Sequence, residues 1–400
     1  MYAYFTGGAR MLRTGRIAAA IALAFAMAAG AALEAYAQNC KPRRPRPPVK
    51  LTSMGPCQFD PEQVSFAGDP LEQAMCLLRA FDKSRNIGPR LEGLPDGLTS
   101  RIGRTSGLPS RDALARLLIE RGLAWDFAPF LWTPLSRARD NDPAAPQARY
   151  LVIHDTSGPY FGGRPFPPDI DENRRINNLA RFRCTDGWEV AHVIINRPGQ
   201  ILLGHELSEP WRATKFERAT AFGTDLKGLF LHVELIQPRR RAPGRGGRND
   251  AMAPNPGFSD AQYDRLALIY VIASVRADRW LIPAFHGPID SGIRGGHDDP
   301  QNFDLAAFAA SIDTLVARLA KPPSTTMMAI AYGPASRAAP IPLPVTSPAR
   351  ATAESPAAEK STARRARASG TSRLKRPARK AHRSVRSKPK NRRTARRYRR

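Results

Sequence analysis

Three residues that can bind zinc each stand next to a distinctive sequence element. His154 follows the apolar run 150–153, His286 follows the apolar run 281–285, and Asp299 follows a loop that contains two glycines. Two imidazoles and a carboxylate can hold Zn²⁺ tetrahedrally and leave a fourth position for water, which is the arrangement of a catalytic site. A single His at the end of a strand is more often a hydrogen-bonded core residue. The prediction of a zinc site therefore depends on the sequence around these three residues.

Between the first two candidate ligands the sequence predicts a hairpin and a buried strand. Residues 188–203 consist of two apolar runs around Pro198-Gly199, a pattern that is typical of a β-hairpin. Residues 228–236 form a further apolar run that contains His232 and Glu234. The alternation of side chains along a strand places these two residues on the same face.

A helix is predicted before His286. Ser259 and Gln262 have the spacing of a capping box, and apolar residues recur with helical spacing from there to about Asp278. These elements predict an α/β fold in three layers: a mixed, twisted sheet with helices on both faces and the metal at one end of the strands. About 170 residues, here 146–322, suffice for one such core.

Taken in order, these motifs resemble the zinc-dependent N-acetylmuramoyl-L-alanine amidases. That family includes phage lysozyme-like amidases, bacterial anhydro-muropeptide amidases and the peptidoglycan recognition proteins. The resemblance covers about 150–322, less than half of the chain, and its motifs are 152–157, 191–194 with the turn that follows, Glu234, the helix that begins after 258–260, 285–290 and 297–304.

The resemblance implies that zinc binds to His154, His286 and Asp299 and that Glu234 is the acid–base residue. Zinc lowers the pKa of water toward 7, but a protein group must still carry a proton to the leaving amine. A carboxylate in an apolar strand has a raised pKa and can carry that proton. The alternative for Glu234 is an edge-strand position facing solvent.

Several positions depart from the family's pattern. His297 replaces the usual Lys two residues before the third ligand, and an imidazole there can also stabilise an oxyanion, so His297 is predicted to be catalytic. Ala191 replaces a Tyr, Gln301 replaces a Gly and Arg212 replaces a His. Trp211 falls where the family has an aromatic residue in the substrate groove. It is predicted to bind substrate, with a place in the core as the alternative.

The remaining histidines of the domain are given lesser roles. His192, in the hairpin, is expected near the floor of the site as a hydrogen-bonding and substrate-binding residue, not a metal ligand. His205 is expected at the surface of the sheet end. His232 is expected either to orient Glu234 or simply to pack.

The N-terminus has the pattern of a secretory signal. Arg10, Arg13 and Arg16 precede a long apolar run, and 35–37 form an A-x-A cleavage site. We therefore predict that 1–37 is a cleaved signal peptide and that the protein is periplasmic or secreted. The alternative is an uncleaved anchor, because the run approaches the length of a spanning helix.

The exported chain would keep all four cysteines: Cys40, Cys57, Cys76 and Cys184. An even number in an oxidising compartment predicts two disulfides, for which three pairings are possible. Residues 38–145 begin with a basic, Pro-rich arm and then show helical spacing at 71–81 and 111–123. They predict a small helical region that Cys57 and Cys76 could staple.

The C-terminal part, 323–400, is predicted to be a disordered basic tail. Residues 350–400 hold 20 Lys and Arg against two acids, most of the chain's formal net charge of +27. So few apolar residues cannot form a core. Anionic phospholipid, lipopolysaccharide or stem-peptide carboxylates are the expected partners, without specific nucleic acid. The alternative is a solvated tail that binds only non-specifically. A second basic stretch, 239–248, is predicted to lie on the rim of the site and to bind substrate carboxylates.

The resemblance therefore implies a zinc-dependent hydrolase that cleaves the amide between N-acetylmuramic acid and L-alanine in peptidoglycan. The competing prediction is a non-catalytic peptidoglycan- or envelope-binding protein of the same fold, which uses the basic tail to hold envelope polymers.

Overall fold

The structure is a computed structural model, and it describes residues 49–51, 55–81, 87–123, 127, 130–182, 191–241 and 251–321. The predicted signal peptide, Cys40, Cys184 and the predicted tail lie outside the described residues. Among the described residues, no helix has the length and apolar character needed to cross a membrane.

Small elements built around a disulfide open the described chain. Strands β1 (Phe59–Asp60) and β2 (Ser65–Phe66) pair antiparallel, and helix α1 (Pro70–Leu77) follows with a capping box formed by Asp69 and Glu72. Cys57 and Cys76 are bonded, which fixes one of the pairings that the sequence left open. The further helices of this region are α2 (Asp96–Thr99) and α3 (Arg111–Glu120), and Ala138–Asn141 form a short turn with positive φ at Arg139 and Asp140.

A five-stranded mixed sheet forms the centre of the fold. Its strands are β3 (Tyr150–Asp155), β4 (Val193–Ile195), β5 (Ile201–Leu203), β6 (Phe230–Leu235) and β9 (Ile282–Phe285), in the spatial order β5-β4-β6-β3-β9. All neighbours run parallel except β4 and β5, which form the predicted hairpin. A separate pair, β7 (Arg240–Arg241) and β8 (Ala251–Met252), is antiparallel.

The composition of the strands agrees with their places in the sheet. All six residues of β3 are buried, as expected for an interior parallel strand with both faces covered. Pro283 lies in β9 at an edge of the sheet, where a missing backbone N–H leaves no ladder bond unmade.

Three further helices complete the domain: α4 (Asp260–Arg276), α5 (His286–Asp290) and α6 (Leu305–Leu319). The predicted capping box of α4 is present, because the side chains of Ser259 and Gln262 each bond the other's backbone N–H. Helix α4 is buried on nearly all sides and packs against α6. Short 3₁₀ turns lie at Leu179–Phe182, Phe216–Arg218 and Thr220–Phe222. The predicted α/β class with a mixed sheet is confirmed.

The N-terminal elements share one hydrophobic core with the sheet. The hydroxyl of Tyr150, at the start of β3, donates to Gln73 of α1 at 2.7 Å and accepts from the N–H of Phe66 at 2.9 Å. Helices α2 and α3 pack on α6. The predicted N-terminal region, up to residue 145, and the predicted zinc domain therefore share packing contacts. Residues of the N-terminal region hold β3, the strand that carries His154.

Candidate metal centre

Parallel pairing brings the candidate residues to one end of the sheet. His154, near the end of β3, lies in register with Glu234 of β6, and Ile153 lies in register with Phe285 of β9. His286 follows Phe285 directly as the first residue of α5. Because parallel strands present their carboxyl ends at the same edge, three strands deliver their polar residues to one point.

The ligand atoms of His154, His286 and Asp299 face one another. The Nδ1 atoms of the two His are 2.9 Å apart, and the Oδ2 atom of Asp299 lies 3.2 Å from Nδ1 of His286 and 3.9 Å from Nδ1 of His154. A tetrahedral zinc with bonds of about 2.0 Å needs ligand atoms about 3.3 Å apart. All three residues are buried. Two imidazoles and a carboxylate at these separations fit a zinc ion.

Asp155 supports the loop that carries Asp299. The backbone N–H of Asp155 donates to Asp299 Oδ2 at 3.1 Å, while its carboxylate accepts from the N–H of Gln301 at 3.2 Å and from Arg239 at 2.5 Å. Burial raises the pKa of Asp155 to about 6, even though the Arg239 guanidinium opposes the change. Arg239 begins the basic stretch 239–248, which the sequence predicts to bind substrate carboxylates on the rim of the site. Arg239 is only 2% exposed, so that prediction is wrong for Arg239.

Glu234 lies beside the three ligand atoms. Its Oε2 atom is 4.0 Å from Nδ1 of His154, and 19% of its side chain is exposed. Strand β6 lies between β4 and β3, so the alternative of an edge strand facing solvent is wrong. Burial, followed by the charges of Asp299 and Asp155, raises the pKa of Glu234 to about 8.

Asp290 holds two histidines at once. Its Oδ2 atom lies 3.0 Å from Nε2 of His286 and 2.9 Å from Nδ1 of His297, and Oδ1 accepts from the N–H of Phe216 at 3.0 Å. Burial alone would raise the pKa of Asp290, but His286 and His297 hold it well below its usual range. Burial likewise acts to lower the pKa of His286, yet Asp299 and Asp290 raise it well above its usual value. His297 keeps 42% of its side chain exposed.

A second group of buried residues lies behind His154. The Nε2 atom of His154 is 3.0 Å from Nδ1 of His232, and Nε2 of His232 is 3.2 Å from Oε2 and 3.3 Å from Oε1 of Glu217. His192 accepts the backbone N–H of His232 at Nδ1, at 3.0 Å, and bonds the carbonyl of Glu209 through Nε2. His192, Glu217 and His232 are all fully buried.

These contacts correct two of the predictions. His192 has no exposed surface with which to touch a substrate, so its predicted place in the substrate-binding set is wrong. Burial, with the charge of His232 second, lowers the pKa of His192 well below its usual value, so the ring is neutral. The sequence predicts that His232 either orients Glu234 or simply packs. In the structure His232 bonds the ring of His154.

Trp211 is half-buried and stacks on His205, with ring centroids 3.6 Å apart. His205 is paired in turn with Glu209 at 3.0 Å. The ring of Trp211 thus packs on a residue that follows the hairpin strand β5, and the role of Trp211 in binding substrate stays a prediction.

Residues outside the predicted set complete the site: Asp155, Glu217 and Asp290. The sequence does contain a signal for Asp290. It stands four positions after His286, and that spacing puts two side chains on one face of a helix. No sequence pattern connects Glu217, in a 3₁₀ turn, with His232.

No protein-family model, curated protein or solved structure matches this chain. Its function must therefore be inferred from the geometry of the cluster and from the sequence motifs.

Proposed function

We propose that this protein is a zinc-dependent amidase that hydrolyses the bond between N-acetylmuramic acid and L-alanine in peptidoglycan. The observation that carries the proposal is the meeting of His154, His286 and Asp299 with the carboxyl of Glu234 at one end of the sheet. A structural zinc site has four protein ligands, whereas three ligands beside an acid–base group are typical of a catalytic one.

Zinc at this position would supply Lewis acidity, which polarises a carbonyl and makes water a stronger acid near neutral pH. Glu234 would accept a proton from the attacking water and return it to the leaving amine. A pKa of about 8, brought down by a cation nearby, lies in the range where one carboxyl can do both.

His297 would stabilise the negative charge that develops on the carbonyl oxygen. The carboxylate of Asp290 accepts the hydrogen on Nδ1 of His297. An imidazolium, which carries a second hydrogen on Nε2, would donate that hydrogen to the substrate. The partly exposed ring suits a contact with a bound molecule, while Asp290 itself is fully buried. A fixed donor of this kind is worth about 10²–10³-fold in rate where it has been removed from other hydrolases.

The identity of the bond comes from the resemblance of 150–322 to the amidases, since a zinc centre alone is common to many hydrolases. Export through the predicted signal peptide would bring the enzyme to peptidoglycan.

Metal content and hydrolysis test the proposal together. We expect the purified protein to bind about one zinc per chain and to release stem peptides with L-alanine at their N-terminus. His286→Ala should lose both, because it removes a ligand. The control His205→Ala should keep the zinc, since the contacts of His205 are with Trp211, Glu209 and the ring of His192. A wild-type protein that stays metal-free in zinc-containing buffer would rule out the catalytic function.

A further inference from the structure

The hydrogen bonds behind His154 have only one consistent direction when the rings are neutral. An ionised Glu217 can only accept, so with this carboxylate Nε2 of His232 carries a hydrogen and donates it to Glu217. The Nδ1 atom of His232 is then bare and accepts from Nε2 of His154. This leaves Nδ1 of His154 without a hydrogen, and Nδ1 is the atom that faces His286 and Asp299.

We infer that Glu217 and His232 are positioning residues that fix the tautomer of His154 for metal binding. The inference rests on the proposed zinc site. These two residues lie outside the ligand set, and they keep the hydrogen on the far side of the His154 ring, so that the lone pair of Nδ1 meets the metal. Hydrogen-bond partners of ligating histidines commonly act in this way.

The local structure holds both residues in place. Glu217 Oε2 accepts from Thr214 N at 2.9 Å, from Thr214 Oγ1 at 2.8 Å and from Ala213 N at 3.1 Å. These three donors fix Oε2, and Nε2 of His232 lies against both oxygens, 3.3 Å from Oε1 and 3.2 Å from Oε2. The ring of His232 stacks on that of His192, with centroids 5.6 Å apart, and its backbone N–H is bonded to His192.

An amide in place of the Glu217 carboxylate should reverse the direction of both hydrogen bonds, from His232 to Glu217 and from His154 to His232. Three backbone and hydroxyl donors surround Oε2, so the amide oxygen of Glu217→Gln would stay there and its NH₂ group would face His232. The NH₂ group would then favour a His232 ring that accepts at Nε2 and carries its hydrogen at Nδ1. That hydrogen would face Nε2 of His154, and the hydrogen of His154 would move to Nδ1, the atom that must bind metal.

The test is zinc affinity, measured by competition with a chromophoric chelator on the full-length protein. We expect Glu217→Gln to weaken zinc binding by about 10–100-fold, the usual cost of losing the partner that orients a ligand. Glu206→Gln is the matched control. It makes the same chemical change at a partly buried acid that pairs with Arg276 at 2.5 Å. The bonds described for Glu206 include none to His154 or His232. It should leave zinc affinity unchanged even if it lowers the melting temperature.

A second variant separates positioning from simple stability. The side-chain oxygen of His232→Asn can accept from His154 without reference to Glu217, so the effect of Glu217→Gln should disappear in this background. Losses that add in the double variant would overturn the inference. Nitrogen chemical shifts of the metal-free protein provide the direct readout: hydrogen on Nε2 of His154 in the wild type and on Nδ1 in Glu217→Gln.

The possible failures can be told apart. A wild type that binds zinc no more tightly than Glu217→Gln would overturn this inference and leave the proposed function standing. A wild type that binds no zinc would overturn both.

Discussion

Opposing electrostatic effects act on the protonation of the Glu234 carboxyl. Burial and the neighbouring carboxylates favour its protonated form, whereas a cation on His154, His286 and Asp299 would favour the ionised form. Metal binding would therefore set the protonation of Glu234, the proposed acid–base residue, as well as the Lewis acidity of the site.

Glu234→Gln should keep zinc and lose activity by about 10²–10⁴-fold, because general acid–base help is removed while every ligand remains. The measurements are metal content and release of stem peptide. Glu209→Gln, an exposed acid paired with His205, is the control and should leave activity intact. If zinc-loaded Glu234→Gln hydrolyses at the wild-type rate, Glu234 has only a structural role.

The metal-free protein should show the cost of ionising Glu234. The unfolded chain releases this proton near pH 4.5, whereas the folded chain keeps it to about 8. Rising pH across that window therefore favours the unfolded state. Gln cannot ionise, so the melting temperature of Glu234→Gln should rise relative to the wild type between about pH 5 and pH 8. A difference that does not change with pH would contradict the raised pKa.

At the level of single residues, the sequence is informative where a polar group stands in an apolar context. His154, Glu234 and His286 can be found because each follows or interrupts a buried strand. Glu217 cannot, since an acid in a short turn looks like a surface residue until the turn is folded against the sheet. The prediction for His192 is wrong because a strand pattern does not tell which face is covered.

At the level of elements, helix α5, which carries the candidate ligand His286, approaches the N-terminal region closely. A Cβ at Gly287 would overlap the ring of Phe81, and the carbonyl of Asp299 accepts from the N–H of Gly287 at 2.8 Å. Gly287, which directly follows His286, thus contacts both the N-terminal region and the loop that carries Asp299.

Gly287→Ala should therefore disturb the site without removing a ligand. Overpacking of this kind costs about 1–3 kcal/mol, and we expect a lower melting temperature together with weaker zinc binding. Phe81→Ala in the same chain should restore part of the zinc affinity by making room for the new methyl group. Gly163→Ala, where a Cβ meets no atom within 4 Å, is the control and should be neutral. Equal zinc affinity in Gly287→Ala and Gly163→Ala would show that this contact does not position the ligands.

The positions of most elements are predictable from the sequence, but their arrangement is not. The hairpin, the capped helix α4 and the buried strands follow from local apolar spacing and turn residues. The order of the strands depends on contacts between residues far apart in the chain, such as the pairing of Tyr150 with Ile282. No local pattern contains that information.

At the level of the whole molecule, the sequence predicts one part that folds around a core and a basic part that does not. Residues 49–321 supply the described hydrophobic core, whereas 350–400 contain few apolar residues and carry most of the net charge. Charge without apolar content predicts a role in binding polymers or lipid surfaces.

Deleting residues 350–400 should leave zinc content and hydrolysis of a small soluble muropeptide unchanged, because a segment so poor in apolar residues adds nothing to the core. Co-sedimentation with sacculi or anionic vesicles should fall, and by more at low salt than at high salt, where charges are screened. Equal binding with and without the tail would leave it as a solvated appendage. Loss of hydrolysis on the small substrate would mean that the tail contributes to the active site.

The contact between α1 and β3 connects the disulfide to the strand that carries His154, so we expect the disulfide and the proposed metal centre to be coupled. Cys76 lies in the same helix as Gln73, Gln73 bonds Tyr150, and Tyr150 begins the strand that carries His154. Thermodynamic linkage makes such a coupling reciprocal. If zinc binds at the proposed site, it should protect the Cys57–Cys76 bond against reduction, and reduction by a reagent that does not bind zinc should weaken zinc binding. A newly made chain would then bind its metal tightly only after oxidation, so that transfer to an oxidising compartment would itself switch the protein on.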